Sequence, residues 1–348
     1  MSFSFNAFCW FWFCIFQEYN QQSVEINHPF YHWKNNYCKA RVLSWFFLFV
    51  FLLNPIEDVN AQDSESVSTS DQIGIRHDND FIVLTDRYYS FGLYINYIHK
   101  LTEGILPNTS EHLQFSLGIQ AFTPDDTATE EINQMDRPYA GYLGLNNGWS
   151  AATNHSFYNL QLELGITGKS SGAGALQRWY HNAVVISDPQ SWVGELSNSF
   201  HLNLYARYAR EWQLAPNPFS VHIALQPWAA YGSKDQFFQP EVAAYFGRRN
   251  TINSSIAYDQ LGSTEREIFF ALRFGYRFVG YNGLLEGNKW GDDSVYLVEP
   301  NAVVLHLGFD FKHRYKKNDY TVGYRFNSDE TEATQTHQYI ILSYARSF

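Results

Sequence analysis

Segments of about ten residues, in which apolar and polar side chains alternate, recur along the chain after residue 61. One of them is the segment 89–97. Its predicted outward, apolar face carries Tyr89, Phe91, Leu93, Ile95 and Tyr97. Its predicted lumenal face carries Ser90, Gly92, Tyr94 and Asn96. Strands of this length with one apolar and one polar face are typical of a transmembrane β-barrel. No stretch in this region reaches the roughly 18 consecutive apolar residues of a membrane helix.

We predict about twelve such strands, an even number as in bacterial outer-membrane barrels. They lie near residues 72–80, 89–101, 112–122, 139–152, 156–167, 198–213, 217–231, 240–250, 265–280, 299–314, 318–327 and 336–348. The strands of a soluble sandwich or a lipocalin-like barrel also alternate apolar and polar side chains. A sandwich, however, would bury the face that stays polar along most of these strands. The prediction is therefore an all-β fold, a twelve-stranded antiparallel transmembrane β-barrel.

Residues 1–61 are predicted to be absent from the mature protein. Lys39 and Arg41 precede an apolar run, and the tripeptide 59–61 (Val-Asn-Ala) fits the pattern of a signal peptidase site. The apolar run is too short to span a bilayer comfortably as a helix, although a membrane anchor is the alternative. Residues 1–38 lie upstream of a signal of ordinary length, so we predict that the start codon was assigned too early. Residues 62–348 form the predicted barrel domain.

Charge and cysteine content exclude some classes of protein. The formal net charge is −11, which argues against nucleic-acid binding because that function needs a basic surface. All three cysteines, Cys9, Cys14 and Cys38, precede the predicted barrel domain. The domain therefore cannot rely on disulfide bonds and must be held by its own backbone pairing.

The connections between predicted strands differ in length at the two ends of the barrel. If the chain starts in the periplasm, the outward connections are 81–88, 123–138, 168–197, 232–239, 281–298 and 328–335. The inward ones include the short links 153–155 and 214–216. Long outer loops and short periplasmic turns are typical of this class. The inward links at 102–111 and between strands eight and nine are longer than the pattern predicts.

Three outward connections bring polar side chains to one rim. The first carries Asn79 and Asp80, with Ser90 at the start of the second strand, and the second carries DRPYAGY at 136–142. The third has apolar residues at helical spacing over 176–184, which predicts a short helix lying across the mouth of the barrel.

Gln177 and His181 lie four residues apart in this predicted helix and therefore share one of its faces. If His181 reaches the same rim as the first connection, an imidazole, a carboxylate and a hydroxyl lie together. These are the groups of a hydrolase site, in which the histidine serves as general base.

An ordered set of motifs resembles the outer-membrane lipid A 3′-O-deacylase family. The set comprises Asn-Asp at 79–80, Thr-Asp at 85–86, Tyr-Ser-x-Gly at 89–92, DRPYAGY at 136–142 and Gln-x-x-x-His at 177–181. The stretch PQSWVGELSNSFHLNLYAR and the closing YRFNSDE and THQYIILSYARSF are also similar to that family. The resemblance covers residues 72–348.

This resemblance implies a calcium-dependent esterase that removes the acyloxyacyl group at the 3′ position of lipid A. The implied site lies between the barrel wall and a helix from an extracellular loop. His181 would activate water, Asp80 would bind calcium with Asn79 beside it, and Ser90 would help to hold the developing oxyanion. We expect a membrane-embedded monomer in the bacterial outer membrane, with lipopolysaccharide as its substrate.

The sequence departs from the family pattern at three places. Family members can carry an acidic residue six positions after the histidine, where this chain has Ser187, so the neighbouring Asp188 is the candidate second calcium ligand. Residues 123–137 contain no lysine, and Arg137 is the nearest cation. Phe81, rather than another acid, follows Asp80. Two alternatives stay open: an outer-membrane phospholipase-type esterase, and a non-catalytic barrel that is a channel or has a structural role.

Overall fold

The computed structural model describes residues 68–80, 87–184, 190–215 and 220–348. The strands are β1 (Asp71–Asn79), β2 (Tyr88–Lys100), β3 (Ser110–Thr123), β4 (Ala140–Ala152), β5 (Ser156–Thr167), β6 (Phe200–Ala215), β7 (Ser220–Leu225), β8 (Trp228–Gly232), β9 (Asp235–Gln239), β10 (Glu241–Arg248), β11 (Glu267–Asn282), β12 (Val303–Tyr315), β13 (Asn318–Asn327) and β14 (His337–Ser347). The helices are α1 (Ala173–Val184) and α2 (Gly283–Glu286). The predicted signal segment and N-terminal extension lie outside the described residues.

The strands form one closed antiparallel sheet. β1 pairs with both β2 and β14, so the sheet closes on itself. β7 and β8 make one strand and β9 and β10 the next, because the register along β6 continues from β7 into β8. The interruptions fall at Pro227 and Pro240, and proline has no N–H to donate to a ladder. The fourteen segments therefore make twelve strands, and the predicted twelve-stranded barrel is confirmed.

Apolar side chains cover the outer face of the wall. Large exposed apolar residues include Ile73, Ile75, Ile95, Leu117, Leu145, Leu160, Leu204 and Phe274. They recur at every second position along their strands, as expected for a surface that faces hydrocarbon. Within the part of the chain that the structure describes, no helix is long and apolar enough to cross a bilayer.

The predicted faces of Tyr89 and Ser90 are wrong. The register between β2 and β3 shifts between Tyr89 and Phe91, which marks a β-bulge where β2 holds one extra residue and the alternation reverses. Tyr89 therefore points into the lumen, where its hydroxyl donates to Asp78 Oδ2 over 2.8 Å. Ser90 instead points outward, towards α1.

Long connections gather at the end of the barrel that carries α1, which we call the outer end. Five of the six predicted outward connections are long, as expected. The fourth, predicted at 232–239, is only the turn Ser233-Lys234, because β9 already begins at Asp235. The predicted eighth strand began at Pro240, so the short segment that precedes this proline was missed.

The connection 249–266, between β10 and β11 at the opposite, inner end, folds back into the barrel. It contains two short 3₁₀ helices, Ile252–Ser254 and Ile256–Tyr258, and their apolar side chains are buried against the lumenal side of the wall. The backbone N–H of Leu261 donates to His112 Nε2 over 3.0 Å. The unexpected length of this link is therefore explained, since the segment plugs the inner end.

Ion pairs between nearby strands line the interior between these two ends. Asp310 lies between Arg273, at 2.9 Å, and Arg325, at 2.7 Å. Lys234 Nζ lies 2.8 Å from Glu163 Oε1. Because inward side chains fill a barrel of this size, the interior is packed rather than open.

Candidate active site

Helix α1 packs against the outward face of the wall and does not lie across the mouth as predicted. Ala121 of β3 shares its face with the exposed Leu117, so it points away from the lumen. A buried cluster joins this part of the wall to the start of α1 and to the segment that follows it. Its members are Ala121, Met135, Tyr139, Ala173 and Trp192, with Phe91, Ile119, Val193 and Tyr296 packed around them.

Gly141 of the DRPYAGY motif lets α1 approach the wall closely. A Cβ atom at this position would overlap Ser171 Oγ and would lie 3.0 Å from Ala173 Cβ. Ser171 and Ala173 are the residues at which the chain enters α1. The motif therefore has a packing role at Gly141, where the helix rather than a neighbouring strand makes the close approach.

Arg137 of the same motif lies on the other side of the wall. It is 1% exposed, and its Nη1 atom lies 3.0 Å from Glu330 Oε2. Its guanidinium carbon lies 5.0 Å from the ring centroid of Phe122. Arg137 therefore ties the second outer connection to the last one and helps to close the lumen. Since it lies inside the barrel, it is not placed to meet a lipid on the outer face of the wall.

Asn79 and Asp80 lie at the end of β1, beside the bulge of β2. Asn79 Nδ2 donates to the backbone oxygen of Ser90 over 3.2 Å. Asp80 is fully buried, and its Oδ2 atom accepts from the backbone N–H of Arg87 over 2.8 Å. This second bond joins the two ends of the first outward connection. The structure thus brings three of the predicted site residues, Asn79, Asp80 and Ser90, together.

Gln177 of α1 makes the polar contact between the helix and the wall. Its Nε2 atom donates to Ser90 Oγ over 3.3 Å, and Ser90 Oγ in turn donates to the backbone oxygen of Ala121 over 3.4 Å. Trp192 Nε1 donates to Gln177 Oε1 over 3.0 Å. All four residues are buried. The site therefore contains an ordered chain of hydrogen bonds from Trp192 to the wall.

His181 follows Gln177 by one helical turn within α1. Its side chain lies outside the described residues, and so do Asp188 and the rest of the first outward connection, 81–86. The sequence placed Gln177 in a motif and on the same helix face as His181 but predicted no role for it, and Trp192 was not among the predicted site residues. The signal for Trp192 was available, because a tryptophan in a polar segment beside a glutamine-bearing helix has an N–H that needs a buried acceptor.

The sequence profile described as Outer membrane protein LpxR matches residues 45–348. The chain belongs to this family. Among solved structures, LpxR from Salmonella typhimurium is similar, with a TM-score of 0.69 and 17% sequence identity, covering 80% of this chain and 100% of that chain. This likeness supports the fold of the LpxR family. The shared barrel and the family assignment locate the protein in the bacterial outer membrane.

More distant barrels also match. The beta domain of the Bordetella autotransporter BrkA has a TM-score of 0.41 and 10% identity, covering 81% of this chain and 100% of that chain. The KdgM porin has a TM-score of 0.35 and 8% identity, covering 80% of this chain and 99% of that chain. A search of curated protein sequences finds no match.

Glu195 is a further titratable group beside α1 in this LpxR family member. Burial raises its pKa to about 7, against the opposing effects of Lys169 and Arg178. A Cβ atom on Gly141 would lie 3.1 Å from Glu195 Oε1, so the carboxyl group sits where α1 meets the wall. This oxygen makes no hydrogen bond within the described part of the chain. Glu195 was not among the predicted site residues.

The side chains at Asn79 and Asp80 carry oxygen atoms of the types that bind calcium. Calcium takes 6–8 oxygen ligands from carboxylates, carbonyls, amides and water. Asp80 supplies a fully buried carboxylate, and Asn79 supplies a side-chain amide next to it. Among residues 68–80, 87–184, 190–215 and 220–348, no three His, Cys, Asp or Glu side chains gather as a metal site. The remaining ligands would have to come from other groups, such as backbone oxygens, water or Asp188.

Proposed function

We propose that this protein is an outer-membrane hydrolase that removes the ester-linked acyl group at the 3′ position of lipid A. The observation that carries the proposal is the hydrogen bond between Gln177 of α1 and Ser90 of the wall. It assembles polar groups on the outward face of the barrel, at the outer end. This side of the wall is the one that faces the lipid of the outer leaflet, whereas a water-soluble substrate would more naturally enter a lumen.

His181 is the proposed general base. Imidazole has a pKa near neutrality and can take a proton from water as the water oxygen bonds to the ester carbonyl carbon, an effect worth roughly 10²–10⁴-fold in rate. The ester C–O bond then breaks, and the leaving alkoxide oxygen takes that proton from the imidazolium. The products are a free fatty acid and lipid A with one hydroxyl restored.

Ser90 is the proposed hydrogen-bond donor to the carbonyl oxygen as negative charge develops there. Donors that are already oriented towards that oxygen stabilise the transition state more than the ground state. Ser90 is held at the bulge by Asn79, which donates to its backbone oxygen, and by Gln177, which donates to its hydroxyl oxygen, so this oxygen is in place before the reaction.

Calcium is the proposed cofactor. Asp80 would hold it, Asn79 would lie beside it, and Asp188 would be a second ligand. When bound, the ion would supply positive charge to stabilise the oxyanion. The place of the Asp80 carboxylate beside the Asn79 amide supports this role, since calcium is bound by carboxylate and amide oxygens.

The channel alternative is disfavoured by the interior of the barrel. The connection 249–266 plugs the inner end, and ion pairs such as Lys234–Glu163 occupy the lumenal side of the wall. A phospholipase-type esterase would use the same base and oxyanion chemistry, so it differs only in the lipid that it accepts. The experiment must therefore measure the acyl chains of both lipid A and phospholipids.

The test is mass spectrometry of lipids from cells that make the wild-type protein, the His181→Ala variant or the His155→Ala variant. His155 lies in an exposed turn at the inner end, which makes it a matched control. We expect wild type and His155→Ala to yield lipid A without the 3′ acyl chain, and His181→Ala to retain it. Loss of acyl chains from phospholipids instead would support the phospholipase. Identical lipids in all cells, with calcium present, would leave the non-catalytic barrel.

A further inference from the structure

The amide of Gln177 could face Ser90 with either its oxygen or its nitrogen, and the neighbouring Trp192 decides between them. An indole N–H can donate a hydrogen bond but cannot accept one. Because Trp192 Nε1 lies 3.0 Å from the amide, the amide oxygen must point towards Trp192. The NH₂ group is then left to face Ser90 Oγ, at 3.3 Å.

Trp192 is itself held firmly from two sides. It is 6% exposed, and its ring centroid lies 5.1 Å from that of Tyr139 in the second outer connection. On its other side it covers Gly174 of α1, where a Cβ atom would lie 2.8 Å from the indole ring. The indole N–H therefore has a fixed direction, set by packing that does not involve Gln177.

The orientation of the amide determines what the Ser90 hydroxyl can do. With the NH₂ group facing it, Ser90 Oγ accepts a hydrogen bond and keeps its own hydrogen, which now makes only a long 3.4 Å bond to the Ala121 oxygen. With the amide reversed, the Gln177 oxygen would take that hydrogen. A hydroxyl that is already donating to a side-chain oxygen is a poorer donor to an oxyanion.

We propose that Trp192 is a positioning residue, which acts through Gln177 to keep the Ser90 hydroxyl free to donate to the ester oxyanion. This inference rests on the proposed function. It adds a residue that touches neither the ester nor the metal, and it assigns Gln177 a role in orienting Ser90 as well as in docking α1.

The experiment is a double-mutant cycle on the purified full chain, assayed on lipid A in detergent micelles with calcium. Trp192→Phe keeps the ring on Tyr139 and Gly174 but removes the N–H. Removing an oxyanion donor outright lowers kcat roughly 10²–10³-fold, so we expect reorientation to lower kcat about 10-fold with little change in KM. In a Gln177→Leu background, the same substitution should have no further effect on kcat, because the residue through which it acts is gone.

Two further variants complete the design. Trp212→Phe, on the half-exposed inner end of β6, is the matched control and should keep wild-type kcat. Gln177→Glu retains the size of the side chain but presents an acceptor to Ser90, so it should lower kcat even with Trp192 in place.

The outcomes separate this inference from the proposed function. Wild-type kcat in Trp192→Phe would overturn the inference, and so would an equal loss of kcat with and without Gln177, which would indicate a purely structural effect of the indole. A wild-type protein that hydrolyses no lipid A would instead overturn the proposed function itself.

Discussion

Ser90 owes its position to one extra residue in β2. The bulge between Tyr89 and Phe91 turns the hydroxyl from the lumen to the outer face of the wall, beside α1. A count of alternating residues cannot reveal this, because the sequence YYSFG contains no residue that requires a bulge at that point. The motif identified Ser90 as a site residue, but only the strand register determines which face it occupies.

Glu195 should make the docking of α1 depend on pH. Burial raises its pKa to about 7, above the ordinary value of 4.5, so the folded state favours the protonated carboxyl. The contact is therefore most stable below about pH 4.5, and it weakens as the pH rises towards 7, where the folded protein too must ionise a buried group. We expect amide hydrogen exchange in α1, corrected for intrinsic rates, to be faster at about pH 8 than at about pH 5.

The Glu195→Gln variant should remove most of this difference in exchange, because its amide does not titrate. Glu103→Gln, in an exposed connection at the inner end, should leave the difference unchanged. If Glu195→Gln showed the same pH dependence as the wild type, another group would be responsible.

Helix α1 was predicted from the spacing of its apolar residues, and its existence is confirmed. Its placement was not predictable in the same way. Amphipathicity indicates that one face is covered, but it does not indicate whether the rim of the lumen or the outer side of the wall provides the cover. Small residues determine the position of α1. Ala121 and Gly141 leave a shallow surface on the outer side of the wall, and the aromatic rings of Tyr139 and Trp192 fill the rest of the contact.

A methyl group at Gly141 should separate α1 from the wall. In Gly141→Ala the new Cβ would overlap Ser171 Oγ and press on Ala173, so the helix must shift, and a displacement of about 1 Å at an active site can lower activity roughly 10²-fold. We expect deacylation of lipid A to fall by about this factor while the barrel keeps its folded, heat-modifiable mobility on gels.

Gly280→Ala, in β11, is the control for Gly141→Ala, because its Cβ atom would make only ordinary van der Waals contacts, the nearest at 3.5 Å. Full activity in both alanine variants would show that the close approach at Gly141 has no influence on the site.

At the scale of the whole molecule, the number of strands, the closure of the barrel and the long outer loops follow from the periodicity of the sequence. The exceptions have local physical causes. The prolines at 227 and 240 interrupt the hydrogen-bond ladder without ending a strand. The predicted eighth strand began at Pro240, so the short segment β9 before it was missed. The connection 249–266 resembled an ordinary long loop, because its burial depends on partners such as His112 and Arg314 that are distant in sequence.

The lumenal ion pairs should contribute strongly to the stability of the barrel. Asp310 is buried between Arg273 and Arg325, which are partly buried, so Asp310→Asn would leave both cations without their shared anion and Arg273 with Glu241 alone. Removing one member of a buried ion pair destabilises a protein by about 3–5 kcal/mol. We expect a loss of about 3 kcal/mol in the free energy of unfolding, measured by urea titration of the refolded protein in micelles.

Asp126→Asn, in an exposed outer connection, should change this free energy by less than about 0.5 kcal/mol. Equal unfolding curves for the two variants would contradict a stabilising role for Asp310.

The outward orientation of Ser90 has a kinetic consequence under the proposed function. A substrate that is already part of the leaflet reaches this face by sideways diffusion in two dimensions and never has to leave the hydrocarbon. Turnover would then follow the mole fraction of lipid A among its neighbours in the leaflet, rather than its amount per volume of water. Diluting vesicles at fixed composition would leave the rate per enzyme unchanged, whereas diluting lipid A with other lipids in those vesicles would lower it.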